Sequence, residues 1–141
     1  MADLSIPAAL VIKVSGAVTS LGVCGETITA GQTLYIETDT PTSPPTYKLY
    51  DSNGADEFAT LAAVAMTGGV VGQEMVVLTG GSWTVGATLV AGEFYVGTAT
   101  AGGIAHIDDL ASGWKPSLIG YATSTTVMKW VGINTLIALS A

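Results

Sequence analysis

The sequence predicts an all-β domain, a small β-barrel or a tulip-like sandwich built from two pseudo-repeats of about 60 residues. Three observations carry this prediction. Of the 141 residues, 42 are Thr, Val or Ile, the residue types that favour strands. Eighteen Gly and five Pro separate the short apolar segments, as turns do. A motif of the first half also returns in the second half.

The order of elements begins with residues 1–24, which are either an extended N-terminal arm or a first strand of the barrel. Residues 38–45 are polar and rich in proline, so they cannot continue a strand ladder and are expected to form an exposed tip or a contact loop. One short helix is expected over residues 56–61, because its acidic start suits the positive end of a helix. Strands are expected over residues 33–37, 46–50, 74–79, 93–98, 118–123, 126–131 and 135–140.

The repeat is carried by two glycine-bounded motifs. Residues 25–31 read GETITAG and precede Leu-Tyr-Ile, whereas residues 86–92 read GATLVAG and precede Phe-Tyr-Val, an offset of 61. Weaker similarities with offsets of 57 to 61 relate 61–65 to 118–122 and 72–79 to 132–140. Glycine permits backbone conformations that a Cβ obstructs, so the motif is expected to build a corner. Residues 25–141 are therefore expected to form one β-domain with pseudo-repeats 25–80 and 86–141.

Charge and hydropathy exclude several classes of partner. The net charge is −7 with only four basic residues, which disfavours binding to nucleic acid and to an anionic membrane surface. Apolar runs reach about six residues, whereas a spanning helix needs roughly 20. Asp3 and Lys13 interrupt the pattern of a signal peptide, so the N-terminus is interpreted as mature protein. With 49% apolar and 11% charged residues, much of the surface is expected to be covered in an oligomer or a larger assembly.

Few residues have the pattern of a reactive site. Cys24 is the single cysteine, which excludes an internal disulfide, and it is expected to be a small buried residue. His106 precedes Asp108 and Asp109, but no serine lies in a recognisable nucleophile motif, so a hydrolase that uses His106 is considered and rejected.

The acidic residues and glycines also lack the spacing of a known site. Residues 51–57 lack the ligand spacing of a calcium loop, and Asn53-Gly54 is a turn signal in its own right. No sequence mark of a groove accompanies a carboxylate pair for glycoside hydrolysis. Residues 68–72 match neither a phosphate-binding loop nor a dinucleotide fingerprint. We therefore expect no enzyme activity, no cofactor and no metal.

The tryptophans allow two interpretations. Trp83 follows Gly-Gly-Ser and Trp114 lies in Ser-Gly-Trp-Lys-Pro, contexts typical of loop tips. Exposed tryptophans are common at interfaces and in sugar-binding platforms. The alternative is that these residues, like Trp130, cap the barrel core.

The order of motifs resembles a family of phage proteins. These motifs are ITAGQTLYI from residue 28, YKLYD from 47, AAVAM from 62, GQEMVVLTGG from 72, GEFYVG from 92, AGGIA from 101, DLASG from 109 and IGYATS from 119. Together they resemble head decoration, or capsid cement, proteins of tailed bacteriophages, and related modules of head and tail fibres. The resemblance covers roughly residues 25–140.

The resemblance implies a virion structural protein on the capsid surface, a β-barrel or tulip-like domain that binds the major capsid protein, usually as a homotrimer, without activity or cofactor. It also implies an N-terminal arm that reaches the shell or a neighbouring subunit, disordered when free, a part assigned here to residues 2–10. The alternative is a fibre module whose loop tips bind host glycans through Trp83, Trp114 and the 38–45 loop. The contact residues expected are Leu4, Ile6, Pro7, Leu10, Trp83 and Trp114.

Overall fold

The computed structural model of the chain describes residues 3–38 and 42–140. The fold is all-β, as predicted, with eleven strands and two single-turn 3₁₀ segments, Ala8–Leu10 and Ile107–Asp109, in the described residues. The strands are β1 (Ile12–Lys13), β2 (Val18–Cys24), β3 (Thr33–Ile36), β4 (Thr46–Leu49), β5 (Ala63–Ala65), β6 (Glu74–Gly80), β7 (Ser82–Thr84), β8 (Phe94–Gly97), β9 (Ile104–His106), β10 (Ser117–Ala122) and β11 (Val127–Asn134).

The first half of the chain forms a closed five-stranded barrel in the order β2-β4-β3-β5-β6. All neighbours are antiparallel except β2 and β4, which run parallel and close the ring through the pairs Val23–Thr46 and Cys24–Tyr47. Closure removes the free edges that a sheet otherwise exposes.

The five strands of the second half, together with β1, form a six-stranded sheet in the order β1-β7-β11-β10-β8-β9. If β7 to β11 are matched in sequence to β2 to β6, the neighbours and their antiparallel directions are those of the barrel, with one difference. The pair that corresponds to β2–β4 would be β7–β9, and it is not formed. The second half therefore has the strand order of the first, except that β7 and β9 are not paired. We call this break between β7 and β9 the open joint.

Equivalent backbone hydrogen bonds accompany the shared strand order. The amide of Gly31 donates to the carbonyl of Ala65 at 2.8 Å, and the amide of Gly92 donates to the carbonyl of Ala122 at the same distance. Gly31 and Gly92 both have positive φ, 96° and 87°, which favours glycine. The offsets of these pairs, 61 and 57 residues, are those of the sequence repeat. The predicted corners are thus the same structural element in each half.

A core cluster lies inside the barrel and a larger one joins the two halves. Adjacent residues of a strand point to opposite faces, so Val77 on β6 packs inside the barrel while Leu78 packs toward the second sheet. The larger cluster also contains Trp83, Tyr95 and Met128 from the second half. Since one apolar cluster includes both halves, they form a single folded unit.

Two predicted elements are wrong. Residues 56–61 form turns with one helical bond, from the Ala59 amide to the Ala55 carbonyl at 3.0 Å, instead of a helix. The next residues must become extended to enter β5, so no second helical turn follows the costly first one. Residues 135–140 form no strand, because Leu136 has a φ of 55°, outside the extended region.

The predicted 38–45 loop is described only in part. Residues 39–41 lie outside the described residues. Thr42 and Ser43 are exposed, and the Ser43–Pro44 peptide bond is cis.

Candidate interaction surface

Residues 3–13, called here the N-terminal segment, lie across the open joint of the second sheet. At one end, the amide of Leu4 donates to the carbonyl of Ile104 on β9 at 2.7 Å. At the other end, β1 pairs with β7 through Ile12–Thr84 and Lys13–Trp83. The segment therefore contacts both strands that are left unjoined, and it occupies the position where the barrel has its β2–β4 pair.

The stretch 1–24, for which an arm and a first strand were both considered, is divided by the structure. Residues 3–13 form the N-terminal segment, with only β1 paired as a strand, whereas Val18–Cys24 is a strand of the barrel. Residues 1 and 2 lie outside the described part. In the structure the N-terminal segment is placed against the body of the protein.

Side chains of the N-terminal segment pack against the body on one side only. Leu4 and Ile6 are half-buried against the larger core cluster, and Val11 belongs to that cluster. Pro7 and Leu10 are exposed, Leu10 by 51%. The segment thus covers the core and also presents apolar surface outward.

Cavities lie on both sides of the N-terminal segment. One, of about 290 Å³, lies between Leu4, Ile6 and the glycine turns at Gly31 and Gly102. The other, of about 540 Å³, is bounded by Leu10, Ile12 and the start of the β7–β8 connection. The segment is therefore flanked by two cavities, while Leu4, Ile6 and Val11 hold it against the core between its two ends.

The expected contact residues Trp83 and Trp114 have different surroundings. Trp83 is completely buried in the larger core cluster, so it presents no surface to a partner. Of the two interpretations of Trp83, that of a core residue is therefore the correct one. Its indole Nε1 has no hydrogen-bond partner among the described residues. Its ring lies 6.5 Å from that of Trp130. Trp114 is half-buried.

Trp114 lies next to an exposed apolar stretch, part of which was expected only as the strand 135–140. The Trp114 carbonyl accepts from the amide of Leu139 at 2.8 Å, which holds the chain end beside the 113–116 loop. Ile137 is 73% exposed. We use the name C-terminal strip for the exposed apolar residues near the chain end together with Trp114; its members are Trp114, Ile133, Leu136, Ile137 and Leu139, the last four between 37% and 73% exposed.

The part of the sequence that supplies most of the C-terminal strip is poor in charge. Lys129 is the single charged side chain from Pro116 to the last residue. On β8, Phe94 is 40% exposed and packs edge-on against Tyr121 of β10, with 6.0 Å between ring centroids. Exposed apolar side chains in a stretch with so little charge are typical of a contact with another protein. The signal in the sequence was this stretch with a single charged side chain, which was interpreted as strands.

His106 lies at the end of β9 beside acidic groups. Its Nδ1 accepts a hydrogen bond from the amide of Asp108 at 3.1 Å, and its Nε2 lies 4.0 Å from a carboxylate oxygen of Glu93. Its ring packs edge-on against Tyr95. In the described residues, no serine, threonine or cysteine hydrogen-bonds to this imidazole. Its contacts are those of a side chain that stabilises a turn, and a nucleophile–base pair is not formed there.

The other candidate residues, Cys24 and the acidic loop, are held in the packing and hydrogen bonding of the fold. Burial raises the pKa of the Cys24 thiol, whose Sγ lies 3.5 Å from Sδ of Met75 inside the barrel. Burial likewise raises the pKa values of the Tyr47 and Tyr50 hydroxyls. Lys115 pairs with Asp56 at 3.0 Å and bonds to the Gly54 carbonyl, which fixes the acidic loop as a turn. Within the described residues, no three His, Cys, Asp or Glu side chains are grouped closely enough to hold a metal ion.

The sequence was compared with protein-family models and with curated proteins. No family model matches the chain, and no curated protein matches it significantly. Within the residues that the structure describes, none of the helical segments is long and apolar enough to cross a membrane.

Proposed function

We propose that this protein is a virion structural protein that decorates the outer surface of a tailed-phage head and stabilises it, as a homotrimer bound to the major capsid protein. The observation that carries the proposal is the C-terminal strip. Its exposed apolar side chains lie in a stretch with one charged side chain, Lys129, on a protein of net charge −7. A surface of this kind is stabilised when another protein covers it.

Two further observations support this proposal. The motifs of residues 25–140 resemble those of capsid cement proteins. The N-terminal segment presents Pro7 and Leu10 outward, so the predicted arm region also offers apolar surface to a shell or a neighbouring subunit. Weak contacts of this kind become effective when a trimer repeats them.

The alternative, a fibre module that binds host glycans, is less well supported. It relied on stacking of sugars on loop tips that carry Trp83, Trp114 and the 38–45 loop, and Trp83 is completely buried. A stacking platform needs an exposed ring face.

The test is co-sedimentation of the purified protein with capsid shells that lack it, after its mass in solution has been measured by light scattering. Ile137→Ser removes an apolar side chain that is 73% exposed in the C-terminal strip. Val71→Ser makes the matched change at a 69% exposed position on the β5–β6 turn. We expect the wild type and Val71→Ser to bind shells stoichiometrically and Ile137→Ser to bind more weakly.

Absence of shell binding by the wild-type protein would overturn the proposal. Equal binding by all three proteins would remove the C-terminal strip as the contact surface.

A further inference from the structure

The chain contains two asparagines, Asn53 and Asn134, and their side-chain amides have opposite surroundings. Asn134 is fixed by three hydrogen bonds, two to the backbone of Leu61 and one to the hydroxyl of Ser117. Asn53 is exposed, and within the described residues no hydrogen bond holds its side-chain amide. The Asn53 amide is therefore free to react, whereas the Asn134 amide is not.

The residue that follows each asparagine adds to this difference. Gly54 follows Asn53, whereas the β-branched Thr135 follows Asn134. A backbone nitrogen can attack the side-chain carbonyl carbon of the asparagine before it, and a glycine nitrogen is the least hindered because glycine has no Cβ. Asparagine is among the thermolabile residues of proteins. The pair Asn53-Gly54 therefore has the composition of a self-modifying site.

The reaction at Asn53 needs water as its only co-reactant. The Gly54 nitrogen forms a bond to Cγ of Asn53, and the Cγ–Nδ2 bond breaks. Nδ2 leaves as ammonia, which carries away the proton of the Gly54 nitrogen, and a cyclic imide remains. Water then opens the imide at either carbonyl and leaves aspartate or isoaspartate. No group is oxidised or reduced, and the product has gained one carboxylate.

The folded turn opposes the first step of this reaction. The Gly54 amide donates to the Asp51 carbonyl at 3.1 Å, and this bond must break because the nitrogen gives up its proton. The backbone amide of Asn53 also donates to Oδ1 of Asp51, at 2.9 Å. The imide can therefore close only when this turn opens locally.

Lys115, from the second half of the chain, holds the turn on both sides of Asn53. Its Nζ donates to the Gly54 carbonyl at 2.8 Å and lies 3.0 Å from Oδ1 of Asp56. Its backbone amide donates to the Ser52 carbonyl at 2.8 Å. Loss of the ammonium would leave Gly54 freer to approach the Asn53 side chain, while the backbone bond to Ser52 would remain.

We propose that Asn53 is a site of spontaneous deamidation in the folded protein and that Lys115 sets its rate by restraining Gly54. Lys115 is a positioning residue, because it binds the neighbours of Asn53. The new carboxylate would lie beside the 113–116 loop, since a Cβ on Gly113 would be 3.3 Å from Oδ1 of Asn53. This inference goes beyond the proposed function and does not depend on it.

The experiment follows the ageing of the purified full-length protein in mildly alkaline buffer, well below its unfolding temperature. Peptide mapping by mass spectrometry measures the conversion of each asparagine to aspartate or isoaspartate. Digestion in water labelled with heavy oxygen marks the amides that are lost during the digestion itself. The same chain unfolded in urea gives the rate without the turn.

Three variants test the part of Lys115. Lys115→Met removes the ammonium and keeps an apolar stem, and Lys115→Arg keeps a charged donor. Lys129→Met is the matched control, because it makes the same change at an exposed position of β11. Urea unfolding midpoints are measured for all variants, and the rates are compared under conditions in which every variant is folded.

We expect conversion of Asn53 in the folded wild type, more slowly than in the unfolded chain, while Asn134 stays intact. Lys115→Met should convert several-fold faster, Lys129→Met at the wild-type rate, and Lys115→Arg more slowly than Lys115→Met. Asn53 that stays intact in the folded wild type after the unfolded chain has been converted would overturn the site. Equal rates for Lys115→Met and Lys129→Met would overturn the role of Lys115.

Discussion

The side-chain amide of Asn134 binds both backbone polar groups of Leu61. Its Oδ1 accepts from the Leu61 amide at 2.8 Å, and its Nδ2 donates to the Leu61 carbonyl at 3.1 Å. The hydroxyl of Ser117 donates to the same Oδ1 at 2.7 Å. Asn134 ends β11 in the second half and Leu61 precedes β5 in the first, so this side chain is one of the polar links between the halves.

Asn134→Ala is expected to destabilise the protein by about 1–3 kcal/mol, because buried backbone groups of Leu61 lose their partners. Urea unfolding measures this change. Asn53→Ala, at an exposed turn position, is the control and is expected to have little effect. Equal midpoints for the two variants would show that Asn134 does not join the halves.

Gly31→Ala and Gly92→Ala are expected to differ although the two glycines are equivalent. Both have positive φ, which costs roughly 1–2 kcal/mol for a residue with a Cβ. A Cβ at Gly92 meets no atom within 4 Å, whereas one at Gly31 would lie 2.8 Å from the Ile6 side chain. Gly31→Ala should therefore be the less stable variant and should also displace the N-terminal segment. Thermal unfolding gives the comparison, and a larger loss for Gly92→Ala would contradict the placement of Ile6.

Trp83→Ala is expected to cost about 3–5 kcal/mol, as removal of a large core side chain usually does. Trp83→Phe should cost much less, because it keeps most of the apolar volume and removes an indole N–H that has no hydrogen-bond partner in the described residues. Denaturant unfolding with both variants tests this. A Trp83→Ala variant as stable as the wild type would mean that the ring is not in the core.

The carboxylate of Glu57 is expected to titrate below its usual range. Hydrogen bonds from the hydroxyl and the amide of Thr38 lower its pKa. A lowered folded-state pKa contributes stability above the unfolded-state pKa, and this contribution is lost as the pH falls through the folded-state value. Acid should therefore weaken the Thr38–Glu57 contact. Carbon-detected NMR titration should show a higher Glu57 pKa in Thr38→Val, and unchanged pKa values in the two proteins would refute the contact.

Local chemistry made part of the fold predictable. The φ values of Gly31 and Gly92 follow from glycine at the corner of each repeat, and the alternation of β-branched residues indicated most of the strands. The wrong helix at 56–61 and the wrong strand at 135–140 have a different origin. Both segments are positioned by distant partners, Asn134 for Leu61 and Trp114 for Leu139, and no local pattern encodes such pairs.

The interaction surface was less predictable than the fold. Leu4, Ile6, Pro7 and Leu10 were singled out, but the gap that holds them arises because β7 and β9 do not pair, which is a long-range property. Trp83 has the local sequence of a loop tip and is nevertheless buried, since it is the central residue of β7 and its side chain belongs to the larger core cluster.

Amide hydrogen exchange of the N-terminal segment tests the central structural claim, that residues 3–13 lie across the open joint of the second sheet. We predict protection of the Leu4 amide, which donates to Ile104, and slower exchange in β1 than in an unstructured peptide. Exchange throughout residues 4–13 at the rate of an unstructured peptide, while β8, β10 and β11 remain protected, would contradict the claim.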